Sequence, residues 1–157
     1  MNQEQLNQLY RYGLSLTQND SDAFDLVQSA VEKCLRKTPP KLAVPYVRAT
    51  MRNHFIDLCR RHKIIAFESY EDTSTLLIHP EELESIIIDQ QRLSQLMDQL
   101  NTSEREVLFL WAVEEYTAQE ISDELNVPRN TILSRLHRVK QKLKKMDSTS
   151  VTGGKAL

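Results

Sequence analysis

Apolar residues recur at helical spacing near the start of the chain. Leu6, Leu9, Leu14 and Leu16 share one face when the chain is wound at about 3.6 residues per turn. The polar segment 17–21 then interrupts the pattern and offers Asp and Ser side chains as helix caps. The sequence therefore predicts a first amphipathic helix that ends close to residue 17.

Two further helices are predicted before residue 65. The second spans about 22–37 and ends before the Pro39–Pro40 pair, and the third starts near Pro45, a residue favoured in a first helical turn. Together the three helices form a predicted domain over 1–65. On the second helix we expect burial of Phe24, Val27, Ala30, Val31 and either Cys34 or Leu35. On the third we expect an apolar stripe of Val47, Met51, Phe55 (or Ile56) and Leu58.

The second half of the chain predicts a separate small domain. The segment 66–88 has no sustained period and is predicted to be a linker, and 147–157 is predicted to be a disordered tail. Between them, 89–146 contains four helical patterns, beginning near residues 89, 102, 118 and 130. At the second of these, Thr102 or Ser103 is the expected cap, with a glutamate following as in a capping box.

The segment 117–136 is typical of a helix-turn-helix. Asn126 tolerates the left-handed turn conformation, Val127 can fill the angle between the helices, and Pro128 blocks continuation of the first helix. Asn130 or Thr131 is the expected cap of the next helix. The expected core positions are Ala118, Ile121, Leu125, Ile132, Leu136, Val139 and Leu143. The face opposite this stripe carries Asn130, Ser134, His137, Arg138 and Gln141.

Composition supports an all-α protein made of two small helical domains. The chain has only three glycines, with 40% hydrophobic and 27% charged residues. Its longest apolar run is far short of the roughly 20 residues that a membrane span needs, and its start does not resemble a signal peptide. We therefore expect a cytoplasmic protein without membrane insertion.

Charge is segregated along the chain, although the net charge is only −2. The segment 33–63 has nine basic residues and one acid, 64–91 has seven acids and no Lys or Arg, and 129–145 has seven basic residues and no acid. Basic clusters in both predicted domains indicate a nucleic-acid partner, and the region between them is an acidic linker. A solvated basic face that only complements the helix dipole is the alternative for the last helix.

The sequence gives little indication of an enzyme or of a metal site. Cys34, Cys59, His54 and His62 lack the paired spacing that organises a zinc site, and a cytosolic setting keeps both thiols reduced. No Gly-rich phosphate loop or nucleophile–base set is present, and the histidines are scattered. We expect no metal, no cofactor and no catalytic activity.

From about Leu6 to Lys145 the chain resembles the extracytoplasmic function (ECF) sigma factors of the sigma-70 family. The segment 25–28 resembles the part of sigma region 2 that docks on the clamp helices of RNA polymerase, and 46–53 with Arg60 and Arg61 resembles the helix that melts and reads the −10 element. The resemblance implies polymerase contacts at Asp25, Gln28 and Glu32. It implies −10 DNA contacts at Arg48, Arg52, Asn53, Asp57, Arg60 and Arg61. Asn53 and Asp57 can instead form a structural pair one helical turn apart.

The segment 96–138 resembles sigma region 4, which docks on the polymerase flap and reads the −35 element. The resemblance, with the helix face above, implies −35 contacts at Asn130, Thr131, Leu133, Ser134, Arg135, His137, Arg138 and Gln141. Arg138 is the residue expected to contact guanine, and Lys142 suits a phosphate. The family commonly has Gly where Glu115, Asn126 and Asn130 stand here, and an acid where Ser29 stands.

The resemblance implies three partners: core RNA polymerase, promoter DNA and an anti-sigma factor. It also implies that the acidic linker threads toward the RNA exit path of the polymerase. The alternative function is a stand-alone helix-turn-helix transcriptional regulator, which would bind palindromic DNA as a dimer and would not need the basic third helix.

Overall fold

The computed structural model describes residues 1–64, 66, 67 and 90–155, with side chains described for all of these except 90–92 and 147–155. The described part is all-α, as predicted, and contains no strand. Its helices are α1 (Gln3–Thr17), α2 (Asp20–Leu35), α3 (Val44–Arg61), α4 (Gln90–Gln99), α5 (Thr102–Ala112), α6 (Ala118–Leu125) and α7 (Arg129–Lys155). Within this part of the chain, no helix is both long enough and apolar enough to span a membrane.

The chain divides into two compact units, Met1–Glu68 and Ser69–Leu157. Apart from Ala66 and Phe67, the linker predicted over 66–88 lies outside the described residues. The helices α1, α2 and α3 form the first unit, and α4 to α7 belong to the second.

In the first unit, α1 crosses α2 at very close range. A Cβ atom added at Gly13 would lie 3.2 Å from the Ala23 Cβ. Two small residues therefore set the spacing of the helices, and a larger side chain at either position would push them apart. The core that results is built from Leu9, Tyr12, Leu16, Ala23, Leu26, Val27, Ala30, Cys34, Val47 and Met51.

The buried stripe of α2 differs from the predicted one at Phe24 and at Val31, which is only half-buried. Phe24 was expected in the core but is 60% exposed, because the stripe runs through Ala23 and Leu26 and turns the intervening side chain outward. Of the two alternatives at the end of the helix, Cys34 is buried and Leu35 is 50% exposed.

The starts of α1, α2, α5 and α6 are fixed by local side chains. Asn2 forms a capping box with Gln5, Asn19 caps α2, and Thr117 forms a capping box with Glu120 at the start of α6. At α5 the expected cap was wrong: Asn101 takes that position and Thr102 already lies inside the helix.

The second unit has a core in which α4, α5 and α7 meet. This core contains Leu96, Leu100, Leu108, Val139, Leu143 and Met146, with Leu93 and Met97 packed against it. The helix end predicted near residue 146 was wrong, since α7 continues to Lys155 through the segment predicted to be a disordered tail. Adding a residue to an existing helix costs far less than nucleating one, and no proline interrupts this segment.

Candidate nucleic-acid interface

The exposed face of α3 carries most of the residues predicted to contact −10 DNA. Asn53, Asp57, Arg60 and Arg61 are exposed and Arg52 is half-buried. Arg60 lies 3.7 Å from Asp57, with side chains 77% and 56% exposed. An exposed pair of this kind is worth little and exchanges readily with other partners, so the arginine can move to a DNA phosphate at small cost.

Arg48 is the exception among these predicted contacts. It is only 2% exposed, and its guanidinium lies 5.9 Å from the centre of the Tyr12 ring. The helical period places it beside Val47 on the inner face of α3, where it packs as a long amphipathic side chain. The structure therefore locates Arg48 in the core of the first unit and away from the exposed face.

A cavity of about 390 Å³ opens beside the same face of α3. Asn53 and Asp57 line it together with basic residues from the end of α2, so the two residues face a shared space. The full lining is Lys33, Cys34, Arg36, Lys37, Tyr46, Thr50, Asn53, His54 and Asp57. Such a combination of cations, amide and aromatic ring suits a nucleotide.

His54 is held neutral in this cavity. Partial burial lowers its pKa below the usual value of 6.5, and the charges of Lys33 and Arg61 lower it further, against an opposing effect of Asp57. Lys33 Nζ lies 3.5 Å from His54 Nδ1, and because an ammonium can only donate, Nδ1 is the acceptor. His54 therefore contributes a polar ring to the cavity and no positive charge at neutral pH.

Phe67 packs against another side of α3. The Arg52 guanidinium stacks 4.2 Å from the centre of the Phe67 ring, and Phe55 meets the same ring edge-to-face at 5.9 Å. Sequence reasoning did not single out Phe67, because it lies beyond the end of α3 and belongs to no periodic pattern.

The predicted polymerase contacts lie together on α2. Asp25, Gln28 and Glu32 are all exposed, and their spacing of three and four residues places them on one helical face. The exposed Phe24 adjoins them. The arrangement offers two carboxylates and an amide next to a large apolar side chain.

The helix-turn-helix is formed by α6, a short turn and the start of α7. Asn126 has the predicted left-handed conformation, with φ of 56°, and the Ser122 hydroxyl donates to the Val127 carbonyl at 2.6 Å. The predicted cap of α7 was wrong. The Pro128 carbonyl accepts from the amides of Thr131 and Ile132 at 3.0 and 3.2 Å, so the helix begins one residue before Asn130.

The predicted −35 contacts on α7 separate into two groups. Asn130, Arg138 and Gln141 are exposed and His137 is half-buried, with His137 Nε2 3.3 Å from the Gln141 side-chain nitrogen. The remaining predicted contacts have exposed fractions of only 3–8% and are Thr131, Leu133, Ser134 and Arg135. Ser134 was expected on the exposed face, so its burial is a correction.

A buried carboxylate lies behind this helix. The side chain of Glu104 is 1% exposed, and its Oε1 accepts from Lys142 Nζ at 2.6 Å. Its Oε2 lies 3.9 Å from Arg138 Nε. Sequence reasoning predicted a phosphate contact for Lys142 and missed Glu104 as its partner, because the two residues are 38 positions apart.

Within the ranges that the structure describes, no group of three or more His, Cys, Asp or Glu side chains is placed to hold a metal ion. Cys34 and Cys59 are buried free thiols, and burial raises the pKa of Cys59.

Comparison with known proteins agrees with this architecture. Residues 90–143 match the family model described as sigma-70, region 4. The chain is 26% identical over 150 residues to the ECF RNA polymerase sigma factor SigM of Bacillus subtilis (strain 168), covering 93% of this chain and 92% of that protein. Its fold is similar to that of the sigma factor RpoE of Bartonella quintana, solved in complex with the anti-sigma factor NepR, with a TM-score of 0.64, 20% identity and 92% of each chain covered. Residues 90–143 thus match sigma-70 region 4, and the chain as a whole is similar to ECF RNA polymerase sigma factors.

Proposed function

We propose that this sigma factor contacts its promoter at two places, with α3 on the −10 element and α7 on the −35 element. The observation that carries the proposal is the presence of two basic helices in two different units, one of which belongs to the segment that matches sigma-70 region 4. The domain bounds that we propose are 1–65 for the −10 unit and 89–146 for the −35 unit.

At the −10 element the proposed DNA contacts are Arg52, Asn53, Asp57, Arg60 and Arg61. Arginines on the exposed face follow the backbone of the melted strand, because a mobile phosphate chain is held mainly by charge. The cavity bordered by Asn53 and Asp57 accepts one unstacked base, and the neutral His54 ring lines it. Arg48 acts from the core by keeping α3 against α1.

At the −35 element α7 enters the major groove of duplex DNA. The exposed Arg138 reads a guanine through a bidentate contact, and Asn130 and Gln141 contact adenine or backbone. The buried members of the predicted set, Thr131, Leu133, Ser134 and Arg135, are given no base contact in this proposal.

Core RNA polymerase is the first proposed protein partner. We propose that Asp25, Gln28 and Glu32 dock on the clamp helices, and that the second unit docks on the flap. The polymerase performs the bond-making in this proposal, and the sigma factor contributes binding and positioning without a catalytic step of its own. This places its action in the cytoplasm.

An anti-sigma factor is the second proposed protein partner. The relative from Bartonella quintana was solved with one. Co-purification of the tagged chain should recover a protein that blocks transcription when added back to the holoenzyme. If every co-purified protein other than polymerase subunits leaves transcription unchanged, this part of the proposal is wrong.

A stand-alone helix-turn-helix regulator is the competing function. It accounts for α6 and α7 but gives no role to the basic face of α3. Run-off transcription separates the two functions: purified core polymerase is tested with and without the protein on a pool of genomic promoter fragments. New specific transcripts are expected, whereas binding of duplex DNA without polymerase and without new transcripts would favour the regulator.

A further inference from the structure

Glu104 is an acid in the interior of the second unit. It occupies the third position of α5, where its Oε1 accepts from the Asn101 amide at 3.0 Å while the Glu104 amide donates to Asn101 Oδ1 at 2.9 Å. These two bonds complete a capping box. Most such boxes lie at the surface, and the one between Thr117 and Glu120 is exposed. A buried carboxylate needs positive partners, because desolvation of an unpaired charge is costly.

Arg105 lies next to Glu104 on α5 and interacts with its charge, and two further cations come from α7, one helical turn apart. Lys142 Nζ makes the close contact of 2.6 Å and also donates to the Gln99 carbonyl at 3.3 Å, while Arg138 approaches through Nε at 3.9 Å. The carboxylate thus joins the corner between α4 and α5 to the same side of α7 on which Arg138 stands.

This arrangement conflicts with a phosphate contact for Lys142. To reach DNA, its ammonium would have to leave a short charge-assisted hydrogen bond and strand Glu104 without its closest partner. Arg138 is in a different position because its contact with the carboxylate is longer, 3.9 Å against 2.6 Å, although the two side chains are similarly exposed, at 44% and 35%. One cation therefore anchors the helix, and the other remains accessible to a base.

We propose that Glu104 is a positioning residue for −35 recognition. It holds the Lys142 ammonium at the carboxylate, fixes the rotation of α7 relative to α5, and orients Arg138 toward the groove. This inference rests on the proposed function, in which α7 reads the −35 element. It predicts that loss of the charge weakens sequence preference and strengthens binding that depends only on phosphates.

The chain offers a matched pair of variants for the test. Glu104→Gln and Glu120→Gln change the same atom at the same position of a capping box, and glutamine also completes such a box. Both variants keep their helix caps. Only Glu104→Gln removes a charge that faces Lys142 and Arg138.

The measurement uses the holoenzyme with core polymerase and a promoter fragment recovered by run-off transcription. Binding is measured on this fragment and on versions with single substitutions in the −35 element, over a series of salt concentrations. For Glu104→Gln we expect the preference for the original −35 sequence to fall about tenfold, as for loss of a good base contact. We also expect the slope of log K against log salt to steepen by about 0.9 for each cation released to phosphate. Glu120→Gln should change neither quantity.

Lys142→Gln provides a second test that does not depend on folding of the first variant. If Lys142 is committed to Glu104, its removal leaves the salt slope unchanged and lowers the preference for the −35 sequence. A slope that becomes shallower by about 0.9, with sequence preference retained, identifies Lys142 as an ordinary phosphate contact and overturns the inference.

Failure of this inference can be distinguished from failure of the proposed function. If the wild-type chain starts no transcripts with core polymerase, the function is wrong. If the wild type initiates specifically and Glu104→Gln behaves like Glu120→Gln, the function stands and the positioning role is refuted.

Discussion

The two basic helices of this chain hold their charges in different ways. On α3, Arg60 pairs with Asp57 at the surface, where both side chains are more than half exposed. On α7, Lys142 and Arg138 share a carboxylate that is 1% exposed. Exposed pairs exchange partners freely, whereas a buried carboxylate holds its cations more firmly because losing them would leave its charge unpaired.

This difference suits the two DNA forms that we propose as ligands. A melted strand is flexible, so mobile cations beside a cavity can follow it. Duplex DNA presents base edges in a rigid groove, and reading them requires side chains that are oriented before contact. The first unit should therefore tolerate changes of side-chain position better than the second.

Arg138→Ala should cause the largest change in promoter recognition. Removal of a bidentate guanine contact is expected to cost about 1–3 kcal/mol, which lowers preference at one −35 position by roughly 5- to 150-fold. Competition binding of holoenzyme to promoters substituted at each −35 position measures this loss. Lys144→Ala, which removes an exposed charge from the same helix, is the control and should weaken binding to all sequences equally. An unchanged preference in Arg138→Ala would refute the guanine contact.

Replacing both Arg60 and Arg61 by alanine should give a smaller effect that depends on salt. Two lost contacts to single-stranded phosphates reduce the slope of log K against log salt by about 1.4, equivalent to about a sevenfold change between 50 and 200 mM. Open-complex formation, followed by permanganate reactivity of unpaired thymines, measures this effect.

Arg11→Ala is the control for this pair, since it removes an exposed charge from α1. If only polymerase binding falls in the double variant, and melting by the assembled holoenzyme is normal, the DNA role of α3 is wrong.

One residue in each unit has a left-handed backbone conformation, and replacing it by glycine allows the stabilities of the two units to be compared. Glu115 has a φ of 58° and Lys63 a φ of 56°, a conformation that costs most non-glycine residues about 1–2 kcal/mol. Each substitution to glycine removes this cost and should raise the free energy of unfolding of its own unit by about 1 kcal/mol. The gain is smaller than the full cost because glycine also has more conformational freedom in the unfolded chain. Denaturant unfolding, with hydrogen exchange to assign the gain to a unit, tests this expectation. Loss of stability in either variant would contradict it.

The smallest effect expected is the pH response of His54. Its pKa lies below 6.5 in the folded protein, so the unfolded chain binds the proton more readily as the pH falls through that value. The contribution of His54 to stability is therefore complete above about pH 6.5 and decreases below it. The unfolding midpoint, measured between pH 7 and 5, should depend less on pH in His54→Gln. The exposed His62 provides the control, and equal pH profiles for wild type and His54→Gln would contradict the prediction.

Features of the fold that depend on residues close together in the sequence were predicted well. The left-handed Asn126 and the Ile132, Leu136, Val139 and Leu143 stripe agree with the structure. The wrong predictions concern neighbouring residues that could each have served as the helix cap or the core residue. Asn101 replaced the neighbouring Thr102 as a cap, and Phe24 turned outward because packing against Gly13 favours the small Ala23.

The candidate site was predictable as a set of residue types and less so as an arrangement. Charge segregation identified both basic helices, and helical periodicity identified Arg138 as exposed. Periodicity could not indicate that Arg48 stacks near Tyr12, or that Phe67 stacks on Arg52. Long side chains choose partners only when another element comes within reach.

The sequence by itself determined the all-α class, the helix-turn-helix and the two basic clusters, because each follows from interactions between residues a few positions apart. Only the tertiary structure decided which cations face solvent and which are held by a buried carboxylate. Glu104 and Lys142 are separated by 38 positions, and their contact at 2.6 Å exists only because α5 and α7 pack together. Burial of the carboxylate then strengthens that contact, since water no longer competes for the Glu104 charge.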